Sequence, residues 1–512
     1  MAYFTNPSVE ELEPLNQRYG FNCSKEELGI YSEFLTKTIK NFQCVCALPE
    51  PVPVVKYARD FGYRPSAEEN KFNAWYWKCS VKGAEGGKLA GKKVALKDTV
   101  FLAGIPLMNG SRVLEGFVPD YDATCVTKIL DEGAEIVGKA TCEDLCMSGA
   151  SFLTTYGPVR NPWNKDHTSG GSTSGCAVVV ATDEVDMAIG ADQGGSIRIP
   201  CTHCGIVGLK PTYGLVSYTG IMPIDTTVDH AGPMTKTVRD CALLLEVIAG
   251  FDDHNDFRQP SIPFPVPEYS KEIEKPASHL RIGVLREGYE PCESHVNETI
   301  QGVIVKLKNA GLFASVEEIS APWHNEAFAA AMVVLLSNFN QVVDGHGYGT
   351  GLGGLLSSRL SDALFRGFKS NASSLSITNK MLTMFTAYLR EKYGLGYYAR
   401  AQNLVLKHRR QYNELFKNVD LLLMPTLPVT ACKLPDPDTS IPEQIQRAFG
   451  IVQNTAPFNA SHHPALTMFA GLSSETHLPV GLQIVGRHWE DATVLQAAYA
   501  IETMLETHKL WK

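Results

Sequence analysis

Two short turns carry the residue types that acyl transfer requires. Gly170-Gly171-Ser172 and Gly194-Gly195-Ser196 end in serines 24 residues apart, within the stretch 168–214. Glycine admits φ > 0 and lets a ligand approach the main chain closely. A serine directly after such a pair presents its hydroxyl while neighbouring N–H groups point into the same space. That is a nucleophile beside an oxyanion hole. An isolated GGS is ordinarily a flexible linker. Here the flanks 177–181, 185–189 and 197–200 are apolar and read as strand-like core. Asp192 and Arg198 bracket the second turn as a charge pair able to brace it.

A serine nucleophile needs a base. His167 and His203 flank the stretch without a legible Ser–His–Asp arrangement, and the G-x-S-x-G elbow is absent around Ser196. Upstream, Val94-Ala95-Leu96-Lys97-Asp98 reads as a buried strand ending in a lysine. A lysine in a poorly solvated pocket loses the stabilisation of its charge and can act as a base.

Lys97, Gly170-Gly171-Ser172-Thr173-Ser174-Gly175 and Asp192-Gln193-Gly194-Gly195-Ser196-Ile197-Arg198-Ile199-Pro200 together resemble the amidase signature family, whose Ser–cisSer–Lys triad has the same serine interval. The resemblance runs from about residue 88 to the C-terminus, through His230-Ala231-Gly232-Pro233-Met234 and Leu478-Pro479-Val480-Gly481-Leu482-Gln483. Within the family the chain is most similar to nitrile-pathway amidases and fungal amidases or urethanases. The resemblance implies an α/β fold in which helices cover both faces of a mostly parallel mixed central sheet. It implies hydrolysis of small uncharged amides, aliphatic or aryl, and extends to carbamates such as urethane.

The resemblance also assigns roles. Ser196 attacks the carbonyl, and Ser172, after a cis peptide, passes the proton of Ser196 to a neutral Lys97, so that activity rises into the alkaline range. N–H groups of Gln193, Gly194, Gly195 and Ser196 form the oxyanion hole. Ser148 and Gly149 offer a backbone carbonyl to the substrate amide, and the Gln193 side chain touches the substrate. Thr173 and Ser174 hydrogen-bond Ser172 or Lys97, while Asp192 and Arg198 are structural bracing. The chemistry calls for no cofactor and no metal. Two rivals share the fold: the glutaminase subunit of a tRNA-dependent amidotransferase, and a non-catalytic scaffold. The N-terminal extension and Gln193, where that subunit generally has threonine, argue against the first. Intact Lys97, Ser172 and Ser196 argue against the second.

The elements that position these residues follow from pattern. In residues 1–80, Ser24 and Glu27 form a capping box ahead of Leu28, Tyr31, Leu35, Ile39 and Phe42 at helical spacing. Pro49, Pro51 and Pro53 then end the helix. The segment to Trp77 reads as helical or irregular. Residues 1–80 are therefore a helical N-terminal domain, which the resemblance assigns to homodimerisation, and 81–512 are the catalytic domain. Strands over 93–96 and 135–139 flank a helix over 123–132, as in a parallel βαβ unit. Glu143 and Asp144 read as charge at a helix N-terminus. The glycine-rich run 345–354 lacks the lysine of a P-loop and reads as a mobile loop near the pocket mouth. His462 stands where the most similar subgroup has a small residue, so it bears on pocket size. A closing amphipathic helix spans 491–505.

Bulk properties narrow the partners. The net charge is −9, from Lys+Arg 46 against Asp+Glu 55, and no basic run suggests nucleic acid or an anionic membrane. No secretory leader is legible and no apolar stretch reaches the ~20 residues of a span. The 13 cysteines are odd in number and scattered through apolar contexts. Cys201-Thr202-His203-Cys204 has no companion pair at zinc spacing and reads as buried thiols. The expected location is the cytoplasm.

Overall fold

Strand β2, Lys93–Lys97, fixes the architecture through its alternation. Val94 and Leu96 join one apolar cluster and Ala95 joins a second, as a period of two demands of a strand buried on both faces. The computed structural model describes residues 4–511. The other strands are β1 Trp75–Lys82, β3 Glu135–Ala140, β4 Met187–Asp192, β5 Val207–Lys210, β6 His230–Thr235, β7 Arg281–Leu285, β8 Ser315–Ile319, β9 Leu421–Pro425, β10 Ala465–Leu472 and β11 Pro479–Val485. All eleven form one sheet in the order β1-β3-β2-β4-β6-β5-β10-β11-β9-β7-β8.

The sheet is mixed but not mostly parallel. Four neighbour pairs are parallel, β2–β3, β2–β4, β7–β8 and β7–β9. The other six are antiparallel. Parallel pairing needs a crossover, and helices supply it only towards the two ends of the sheet. In the middle, β10 and β11 form a hairpin, and the connection from β5 to β6 carries no helix.

Among the helices are α1 Val9–Tyr19, α2 Lys25–Ala47, α3 Thr124–Asp131, α4 Ser174–Ala181, α5 Arg198–Cys204 and α6 Val238–Ile248. Ile129 and Leu130 of α3 and Leu244 and Leu245 of α6 pack with Val94 and Leu96. Cys176 to Ala181 of α4 and Cys201 and Cys204 of α5 pack with Ala95 and Ala188 on the other face. Residues 177–181 and 198–200 are thus helical, not strands. Every residue of α4 is buried, so it has no polar stripe to betray the 3.6 period. The helix His324–Val343 has the length and apolarity of a membrane span. Its Ala330, Ala331 and Val334 lie in a core cluster with Ile451 and Val452.

The chain divides into two compact units, Met1–Val54 and Val55–Lys512. The division falls well before residue 80, which lies inside β1, paired antiparallel with β3. Residues 55–74 belong with the large unit because Lys56 and Arg59 pair with Asp131 and Asp122. The small unit consists of α1 and α2, each opened by a capping box, Ser8 with Glu11 and Ser24 with Glu27. Such caps contribute about 0.5–2 kcal/mol each. Only Leu28 is buried in these two helices. Tyr19, Phe21 and Phe34 remain exposed along a groove of about 640 Å³.

Candidate active site

β2 delivers Lys97 and the turn leading into α4 delivers Ser172. Lys97 shares the Ala95 face of β2, the face on which α4 packs. Its Nζ donates to Ser172 Oγ at 2.8 Å and to the Ala191 carbonyl at 3.2 Å. Thr173 Oγ1 donates to the same carbonyl at 3.1 Å. The Gly171–Ser172 peptide is cis. Gly171 must be glycine, since a Cβ there would lie 1.9 Å from the Ala150 carbonyl oxygen.

One backbone hydrogen bond ties the two turns together: Thr173 N donates to Ser196 O at 3.2 Å. Lys97 and Ser172 are fully buried, whereas Ser196 is 8 % exposed. The exposure falls on the residue that the sequence reading makes the nucleophile.

The second turn is built on Asp192, the last residue of β4. Its carboxylate pairs with Arg198 at 3.0 Å and accepts from Asn459 Nδ2 at 2.8 Å and Ile197 N at 3.1 Å. Arg198 also reaches Gln483 at 2.8 Å and Asn459 Oδ1 at 2.6 Å. Burial pushes Asp192 up, but Arg198 and Asn459 outweigh it and hold the carboxyl down at about 2. Gly195 N donates to Asp192 Oδ1 at 2.7 Å. That N–H is therefore committed to the brace rather than free for the four-donor hole implied by the resemblance. A buried carboxylate must collect donors, and the nearest is in the turn itself. Gly195, at φ 137, leaves no room for a Cβ, which would lie 2.5 Å from Thr455 Oγ1.

Gln193 Nε2 donates to Tyr218 at 2.8 Å, and its buried Oε1 has no partner among the described residues. Ser148 Oγ accepts from Ala150 N at 3.0 Å. The Gly149 carbonyl, a candidate to face substrate, accepts from Gly171 N at 2.8 Å and so aligns the first turn. Ser174 Oγ is buried without a partner and bonds neither Ser172 nor Lys97. Glu143 and Asp144 do not begin a helix; Asp144–Cys146 is a 3₁₀ turn. Burial pushes the Glu143 carboxyl up to about 8, and its backbone N donates to Ser172 O at 3.2 Å.

His203 lies beneath Gly170, and neither ring nitrogen has a partner. Burial pushes it down to about 3. Cys201 and Cys204 donate to the Val207 and Ser169 carbonyls, each at 3.6 Å. Among the described residues, no group of three or more His, Cys, Asp or Glu could hold a metal ion. His462 accepts from Arg409 at 3.0 Å, bonds the Thr227 carbonyl at 2.8 Å and stacks on Tyr213. Its ring is committed to that cluster. Gly354, in the glycine-rich run, packs on the Asn255 backbone.

Sequence reasoning missed the roles of Thr455, Asn459 and Gln483. Their signal was the C-terminal motif positions, which carry no chemistry until the fold sets them against Asp192. An apolar wall completes the site: Leu335 lies 3.2 Å from where a Gly194 Cβ would stand. Val228, Ala331 and Ile451 cluster with Ile199 beside it.

The Amidase family profile matches residues 66–495. An enantioselective amidase of Rhodococcus rhodochrous is 40% identical over 97% of this chain and 96% of its own. A glutamyl-tRNA(Gln) amidotransferase subunit from Thermotoga maritima superposes with a TM-score of 0.68 at 30% identity, covering 82% of this chain and 84% of that one. Peptide amidase from Stenotrophomonas maltophilia does so with a TM-score of 0.65 at 29% identity, covering 81% and 83%. The chain belongs to the amidase family, hydrolases of the amide C–N bond.

Proposed function

We propose that the protein hydrolyses small uncharged carboxamides through an acyl-enzyme on Ser196. The buried 2.8 Å contact between Lys97 Nζ and Ser172 Oγ carries this reading. Ser196 attacks the carbonyl carbon, its proton passes to Ser172, and the Ser172 proton passes to Lys97. The N–H groups of Gln193, Gly194 and Ser196 receive the oxyanion, where each donor is worth about 2.7–4 kcal/mol of barrier. The proton returns through Ser172 to the departing ammonia, and water then releases the acid. The free Gln193 Oε1 accepts from the substrate amide. The apolar wall of Leu335, Ile451 and Val228 offers no counter-charge, which supports aliphatic and aryl amides and leaves room for carbamates such as urethane. As a further part of the proposal, the exposed apolar residues of α1 and α2 serve a cytoplasmic homodimer.

Ammonia release from acetamide, benzamide, ethyl carbamate and glutamine, compared between wild type and Ser196→Ala, tests the reading. Release by the wild type alone supports it. Release from glutamine alone, or from none of the four by folded protein, sinks it in favour of a partner-dependent glutaminase subunit or a scaffold.

A further inference from the structure

One phenol settles which end of the Gln193 carboxamide is left over. Tyr218 lies in the connection from β5 to β6 and is buried, as is Gln193. Its Oη accepts from Gln193 Nε2 at 2.8 Å and donates to the Met222 carbonyl at 3.4 Å. A phenol has one proton to give. With that proton on Met222, the phenol can only accept from Gln193, which must turn its NH2 towards Tyr218. Gln193 Oε1 is then a buried acceptor, and it has no partner among the described residues. Half a turn of the carboxamide would set Oε1 against the phenol oxygen, two acceptors face to face.

The groups that hold Gln193 are themselves fixed. Met222 N donates to the Thr99 carbonyl at 2.9 Å, and Met222 Sδ accepts from Asn109 Nδ2 at 2.9 Å. Tyr218 N donates to Asp256 Oδ2 at 2.7 Å. The Arg258 guanidinium stands 4.8 Å from the centre of the Tyr218 ring and pairs with Asp256 at 3.0 Å and Asp229 at 3.2 Å. Burial pushes the phenol well above its ordinary value, so it stays a neutral hydroxyl at neutral pH.

We propose that Tyr218 is a positioning residue that makes the site select substrates by their N–H, acting through Gln193. A carboxamide satisfies the buried acceptor. The ester of the same acid has no donor on its leaving oxygen and leaves Oε1 unpaired. A site built to take a hydrogen bond rejects the analogue that cannot make it. Without the phenol, nothing holds the carboxamide in the orientation that presents its oxygen. The inference deepens the proposed function and rests on its acyl-enzyme at Ser196 and on Gln193 facing the substrate.

Benzamide and methyl benzoate give the same benzoyl-enzyme, one releasing ammonia and the other methanol, so their kcat/KM values compare acylation alone. Both are measured on full-length wild type, Tyr218→Phe, Gln193→Met and the double variant. The amide-to-ester ratio is expected to fall about tenfold in Tyr218→Phe, the worth of one hydrogen bond. Gln193→Met lowers it at least as far. The double variant matches Gln193→Met, because a residue that acts through another adds nothing once the other is gone. A merely structural fault slows both substrates alike and leaves the ratio unmoved. A ratio in Tyr218→Phe within about twofold of wild type, or a double variant less selective than Gln193→Met, overturns the proposal and leaves the Ser196 chemistry standing. So does a wild type that cleaves the ester alone. If the wild type cleaves the amide alone, amide rates decide: equal rates in Gln193→Met and the double variant support the proposal, and a slower double variant overturns it. Hydrolysis of neither substrate by folded wild type overturns the function reading and this inference together.

Discussion

The two Gly-Gly-Ser turns look alike in sequence and are supported in opposite ways. The second rests on a buried ion pair: Asp192 and Arg198, joined by Asn459 and Gln483, hold Gly195 and Ile197 by their N–H groups. The first rests on neutral groups. Above it lie the Gly149 carbonyl and a Glu143 carboxyl raised to about 8, and beneath it a His203 imidazole lowered to about 3. The difference matches the proposed labour. A turn that meets developing negative charge needs rigid donors, and a fixed ion pair supplies rigidity. A turn that passes a proton to a lysine is best kept free of charges that would hold the lysine in one state.

The largest effect expected is at Ser196. Replacing it with alanine leaves a folded protein and lowers kcat by on the order of 10⁴-fold or more, measured by ammonia release alongside circular dichroism. Next comes the brace. Arg198→Met leaves the Asp192 carboxylate buried and unpaired, a cost of about 3–5 kcal/mol. Thermal unfolding reads this, and a melting temperature equal to that of the wild type would break the contrast between the turns.

Acid separates the turns more gently. His203 binds a proton in the unfolded chain near its ordinary 6.5 but in the folded chain only at about 3. Its contribution is therefore complete above pH 6.5 and declines as pH falls towards 3. Asp192, at about 2 against 3.8, contributes fully above pH 3.8 and declines only below it. Glu143 works in the other sense, favouring the fold below pH 4.5 and ceasing to do so as pH rises to about 8. In Glu143→Gln, which removes the opposing carboxyl, hydrogen exchange at pH 5, corrected for intrinsic rates, should show the amides of 168–173 losing protection before those of 193–198. Simultaneous loss would contradict the assignment. The smallest effect is at Ser174. Its unpartnered hydroxyl predicts that Ser174→Ala changes kcat/KM by less than about twofold, and a tenfold loss would restore it to the relay.

Lys97, Ser172 and Ser196 were legible because their signals are local: a strand ending in lysine and two glycine pairs. What escaped was set by distant or isotropic features. α4 is apolar all round, so periodicity could not tell it from a strand. The antiparallel middle of the sheet depends on β10 and β11 arriving more than 250 residues after β5. Gly195 loses its N–H to a carboxylate three positions away, a choice that appears only when Arg198 and Asn459 close round Asp192.

The split of β2 between two cores makes the base a matter of parity. Val94 and Leu96 look one way, Ala95 and Lys97 the other. Deleting or inserting one residue anywhere from 93 to 96 would exchange the faces and carry the lysine side chain into the cluster of Ile129 and Leu244, away from Ser172. A two-residue change would keep the face and shift only the reach. A designer who wishes to relocate the lysine therefore has one degree of freedom, its distance along the strand, and none around it.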